Sequence, residues 1–124
     1  MTIENAHRAY TALNNISSKT MPAKTAYKVS KLCSALKGDA EFYTERLTQI
    51  IDQYGEKDDK GEPIINGNGC SIQKDKVDDC ANAIKELREI EATVVDIKIN
   101  LSELEDIELS PNDIAAIYDF IEED

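Results

Sequence analysis

From Ala26 to Tyr54 the chain repeats apolar or small side chains at alternating steps of three and four: Ala26, Val29, Cys33, Leu36, Ala40, Tyr43, Leu47, Ile50 and Tyr54. A stripe of that period stays on one face only if the backbone is an α-helix. Pro22 suits the first helical position, where φ is already set and the missing N–H has no partner to lose. A helix over residues 22–54 would extend roughly 50 Å. Its stripe therefore demands cover from another helix, in this chain or in a second one. Gly38 interrupts the pattern at a cost of about 1 kcal/mol relative to Ala and is expected to mark a mild bend or a close contact. Gly55 is expected to stop the helix as a left-handed cap.

The other elements follow from local signals. Ile3, Ala6, Tyr10, Leu13 and Ile16 predict a helix over residues 1–17. Val77, Cys80, Ile84 and Leu87 predict another over 75–92, the natural cover for the long helix. The expected packing seam is Val29, Cys33, Leu36, Tyr43, Leu47, Ile50 and Tyr54 against Ile84 and Leu87. Between these helices, residues 55–74 read as a loop with a small hairpin, because Asn66-Gly67-Asn68-Gly69 separates two short apolar runs. Over 93–101 the period switches to two, with Val95, Ile97, Ile99 and Leu101 alternating against Asp96, Lys98 and Asn100, which predicts a half-buried strand. Such a strand needs an edge to pair with, from the hairpin or from a second copy of the chain. Ser110 as cap, Pro111 and Asp113 predict a short helix over 110–122. The expected fold class is α+β, mainly α, in one domain spanning 1–124: a long antiparallel helical hairpin, a small β-hairpin and strand element, and a short C-terminal helix.

Charge is distributed unevenly. The net value is -11, yet residues 1–37 carry six basic side chains and one acid, whereas residues 102–124 carry nine acids and no Lys or Arg. A field of that sign repels nucleic acid and speeds encounter with basic surfaces. The stripe Lys24, Lys28, Lys31 beside Tyr27 is the one basic feature, too small to reverse that expectation. No run of about 18 apolar residues and no secretory leader is visible, so membrane association is not expected and a cytoplasmic location is. Cys33, Cys70 and Cys80 lack zinc-ligand spacing and read as reduced thiols.

The residue types that carry catalysis are sparse. His7 is the single imidazole, which excludes sites needing two. Gly67 and Gly69 are not followed by Lys-Ser or Lys-Thr, so no phosphate loop is formed. Testing Gly69 or Gly61 as the central glycine of a calcium loop places Ile64 or Lys60 at a ligand position, and both registers fail. The expectation is no catalysis and no cofactor. What remains is the acidic C-terminal third, where Glu103, Glu105, Asp106, Glu108, Asp113, Asp119 and Glu122 are interleaved with Leu104, Ile107, Leu109, Ile117 and Phe120. Carboxylates among apolar residues form a surface that holds a basic protein partner by field and contact. The plainer alternative is that the apolar residues cover the helical hairpin while the acids face water.

The order of features has a precedent. Met21-Pro22-Ala23-Lys24-Thr25-Ala26-Tyr27-Lys28, the run Tyr54-Gly55-Glu56-Lys57-Asp58-Asp59-Lys60-Gly61-Glu62-Pro63, a Gly/Asn turn, a helix, a strand, and Leu109-Ser110-Pro111 leading into Phe120-Ile121-Glu122 together resemble a family of small uncharacterised proteins of tailed bacteriophages and prophages. The resemblance spans roughly residues 20–122 and implies a phage origin and a location in the bacterial host's cytoplasm, without functional residues. Two functions are then expected candidates: an acidic accessory protein that binds and inhibits a host nucleic-acid-processing defence protein, or a capsid or tail assembly component that forms homo-oligomers.

Overall fold

Thr2 opens the first helix, its hydroxyl accepting the Asn5 N–H at 3.3 Å. The structure is a computed structural model and describes residues 1–62, 64–66, 69–93 and 95–123. Helix α1 covers Ile3–Ser17 and α2 covers Ala23–Tyr54. A short antiparallel pair follows, β1 (Ile65–Asn66) with β2 (Gly69–Cys70), in the register Ile65 to Cys70 and Asn66 to Gly69. Residues 67 and 68 of the expected Asn-Gly turn lie outside the described residues. A 3-10 turn at Lys74–Lys76 leads into α3 (Val77–Arg88). Strand β3 (Ile99–Asn100), a 3-10 turn at Leu101–Leu104, α4 (Pro111–Ile117), a second such turn at Tyr118–Phe120 and β4 (Ile121–Glu122) complete the order. The class is α+β, mainly α.

The stripe of α2 is covered in two pieces. Along its first half, Val29, Leu32 and Leu36 join Ala6, Ala9, Ala12, Leu13 and Ile16 of α1 and Ile99, Leu104, Ile107, Ile117 and Phe120 of the C-terminal region in one cluster. Three alanines on the buried face of α1 keep side-chain bulk small between the two helices, and short side chains permit close axes. Along the second half, Tyr43 and Ile50 pack with Ile3, Cys80 and Leu87, with Leu47, Tyr54 and Ile84 half-buried around them. Gln73 N–H donates to Tyr54 O at 3.0 Å, and Thr93 N–H donates to the Asp39 carboxylate at 2.9 Å. These two contacts tie the segment carrying α3 to both ends of this second half.

Several expectations shift. In the seam, Val29, Leu36, Tyr43, Ile50 and Leu87 are buried and Cys33, Leu47, Tyr54 and Ile84 are half-buried, but Ala26 is exposed and its place is taken by Thr25, with Leu32 fully buried beside Cys33. A straight helix drifts about 20° per heptad against a strict seven-residue repeat, and α1 and α3 approach α2 from different sides. Gly38 lies inside an unbroken helix with nothing within 4 Å of where a Cβ would stand, so no close contact explains it. Gly55 is not left-handed: its φ is -71°, and it follows α2 as extended chain that bridges Ile72. What demands glycine there is space, because a Cβ would come within 2.6 Å of the Ile51 carbonyl oxygen.

The third helix begins two residues late and stops at Arg88 instead of 92. Residues 90–92 pair with the chain start, Ile3 N–H donating to Ile90 O at 2.7 Å and Ala92 N–H to Met1 O at 3.0 Å. The expected strand over 93–101 is paired only at 99–100, and Val94 lies outside the described residues. The C-terminal helix ends at Ile117 because Ile121 and Glu122 enter a parallel ladder with Ile99 and Asn100. Parallel pairing of neighbours so close in sequence requires a crossover, here supplied by α4 and its flanking turns.

Candidate partner-binding surface

The acidic segment is pinned from within. Leu104 and Ile107, three residues apart, are both buried, and the Ile107 N–H donates to Leu104 O at 3.1 Å. Between and after these anchors, Glu105, Asp106 and Glu108 are exposed. The Lys19 ammonium donates to the Glu108 carbonyl oxygen, tying the loop to the chain between α1 and α2. Leu109 is half-buried, and Ser110 Oγ accepts the Asp113 N–H at 3.1 Å to start α4. Asp113 is half-buried in the first turn, where a carboxylate favours the positive end of the helix. Ile117 and Phe120 are buried.

Parallel pairing of β3 with β4 then brings the two acidic stretches together. Glu122 stands beside Asn100, so the C-terminal acids lie next to the start of the 101–108 loop. The Asp119 side chain is exposed while its carbonyl accepts from Lys98. Two apolar residues accompany these acids at the surface: Leu101 is 45% exposed and Tyr118 is 70% exposed.

Glu103 departs from the others. Its carboxylate accepts from the Lys28 ammonium and from Thr25 Oγ1, the latter at 3.2 Å, and the side chain is only 14% exposed. The hydrogen bond from Lys28 holds its carboxyl below the ordinary value of 4.5 against the opposing effect of burial. Thr25, buried on α2, is thereby satisfied. Glu103 is a structural tie between α2 and the acidic segment, and its carboxylate is turned away from solvent. Of the apolar residues interleaved with the acids, Leu104, Ile107, Ile117 and Phe120 serve the core; Leu101 and Tyr118 are the exposed ones. No sequence signal marks the exposure of Tyr118: at helical spacing it stands four residues after Ile114 and three before Ile121 and would share their apolar face, but the helix gives way to a 3-10 turn at Tyr118.

Elsewhere, the His7 ring lies 4.9 Å from that of Tyr43, tilted by 37°, a packing contact beside the groove between α1 and α2. Burial pushes the Cys33 and Cys80 thiols above their ordinary value, which suppresses the reactive thiolate. Among the described residues no group of three or more His, Cys, Asp or Glu is placed to hold a metal ion, and no helix is long and apolar enough to cross a membrane.

No family model matches this chain, no curated protein matches it, and no solved structure matches it.

Proposed function

We propose that this protein is a non-catalytic binding module of phage origin whose exposed acidic loop captures a basic surface on a protein of the bacterial host. The observation that carries this reading is the loop itself: Glu105, Asp106 and Glu108 face solvent, free of ion pairs among the described residues, on a segment fixed by buried Leu104 and Ile107. Carboxylates held on a rigid support lose little entropy on pairing with Lys or Arg, so they suit recognition better than a floppy acidic tail. Leu101 and Tyr118 add apolar contact beside the carboxylates, and Tyr is favoured at interfaces for its large, stiff ring. A basic surface of this kind is what a nucleic-acid-processing enzyme presents to phosphates, and inhibition would follow from occupying it. Phage origin rests on the sequence resemblance.

The test is affinity capture from the host, with and without infection, washed at low and high salt. One host enzyme recovered at low salt and lost at high salt supports the proposal. Converting Glu105, Asp106 and Glu108 to Lys should abolish capture while leaving the melting temperature almost unchanged, since surface changes without partners stay within about 0.5 kcal/mol. Loss of stability with capture intact would overturn it.

A second reading, a capsid or tail assembly component, is favoured by a different observation. Phe42 and Ile90, both exposed, flank a groove between α2 and α3 that also involves Arg46 and Glu86. Recovery of phage structural proteins from infected cells alone would support this reading.

A further inference from the structure

Residues 95–98 alternate in burial. Val95 and Ile97 pack half-buried on the main cluster, and Asp96 and Lys98 are exposed. That period is the mark of an extended chain lying on a core, and it continues into β3, where Ile99 is buried and paired with Ile121. The pairing stops there. Among the described residues, no backbone N–H or C=O of Val95, Asp96 or Ile97 has a hydrogen-bond partner. A run of unpaired backbone groups continuous with an existing ladder is a template for another strand.

The side chains say which strand. We propose that residues 95–98 pair with the same segment of a second copy, antiparallel and centred on Ile97, on the edge away from β4. Antiparallel pairing about that centre places Asp96 of one copy opposite Lys98 of the other, and Lys98 opposite Asp96. Ile97 meets Ile97. Directly opposed unlike charges and paired β-branched residues are the favourable cross-strand combinations. A register shifted by one residue would put charged side chains against the core face, and one shifted by two would oppose Asp96 to Asp96 or Lys98 to Lys98, so alternation and charge together select this alignment. Lys98 donates to the Asp119 carbonyl on the β4 side, and its flexible four-carbon stem lets the ammonium turn across the strand to the opposing carboxylate. The interface is short and each copy carries a net charge of -11, so the dimer is weak, in the micromolar range. This inference does not depend on the acidic loop, whose partner is a different molecule.

Charge exchange tests it. Sedimentation equilibrium of the full chain from about 10 to 500 µM brackets such affinities, and the wild type is expected to approach twice the 13.8 kDa chain mass. Asp96→Lys sets Lys against Lys at both pairs and is expected to weaken association by roughly tenfold or more; Lys98→Asp sets Asp against Asp with the same result. An equimolar mixture of the two single variants restores both unlike pairs, so the dimer should return. A wild type that stays monomeric across the range overturns the proposal, as does an Asp96→Lys variant that dimerises as the wild type does. If Lys98→Asp loses its fold, seen as loss of helical circular dichroism, Asp96→Lys alone decides, because the exposed Asp96 side chain has no hydrogen bond or ion pair to lose among the described residues.

Discussion

Glu103 sits between Lys28 and Thr25, whereas Glu105 and Asp106, two and three residues on, face solvent. Alike in sequence, these acids have opposite roles, and the difference arises from the turn at Leu101–Leu104 that points one of them at α2. Replacing Glu103 with Gln is expected to cost about 1 to 2 kcal/mol at pH 7, because a charge-assisted bond is lost and Lys28 keeps a poorer partner. The sign with pH follows from the lowered carboxyl. Its contribution is complete above the ordinary value of 4.5 and is lost as pH falls through the lower folded value. Urea titrations at pH 7 and pH 3 should therefore show the gap between wild type and Glu103→Gln narrowing in acid. Gly55 and Gly38 give a second contrast. Gly55→Ala forces a Cβ to within 2.6 Å of the Ile51 carbonyl oxygen and should destabilise by about 1 to 3 kcal/mol. Gly38→Ala enters open space in a helix and should stabilise by about 1 kcal/mol. Thermal melts of the two variants check both signs.

At the scale of elements, α2 was legible as a helix to within a residue at either end, because its periodic stripe runs through four heptads and Pro22 marks its start. Which residues of it are buried was legible only in part. The choice of Thr25 and Leu32 over Ala26 and Cys33 depends on the direction from which α1 arrives, and no residue of α2 encodes that direction. Leu32→Ala should cost about 2 to 5 kcal/mol, while Ala26→Lys, at an exposed position, should change stability by less than about 0.5 kcal/mol. Chemical denaturation of both variants measures the difference. Helices α3 and α4 stop short of their sequence patterns for a shared reason. In each case the helical pattern continues in the sequence, but the backbone beyond Arg88 and Phe120 pairs with a distant partner, Met1–Ile3 in one case and β3 in the other.

For the whole molecule, α1 and α2 each contribute to both clusters, Ile3 reaching the one around α3 and the rest of α1 lying in the other. Neither cluster can lose its helices without exposing the other. Thermal unfolding is accordingly expected as one transition, with far-ultraviolet dichroism and the near-ultraviolet signal of the tyrosines coinciding. Two resolved transitions would mean that the clusters unfold separately. The charge asymmetry is also recast by folding. Lys28, from the basic third, pairs with Glu103 of the acidic third, so part of the linear dipole is neutralised inside the chain, while Glu105, Asp106 and Glu108 keep their carboxylates in the exposed loop.

The amino-acid sequence by itself determined the helices, the Ser110 cap, the mainly α class and the concentration of acids near the C-terminus, because periodicity, capping and charge are local properties written in neighbouring residues. The tertiary structure alone decided that α1 covers the first half of α2, that Glu103 is an internal tie while Glu105, Asp106 and Glu108 face solvent, and that β3 pairs with β4. These depend on contacts between residues of different elements, whose geometry is set by how whole elements pack and not by the spacing of residues within any one of them.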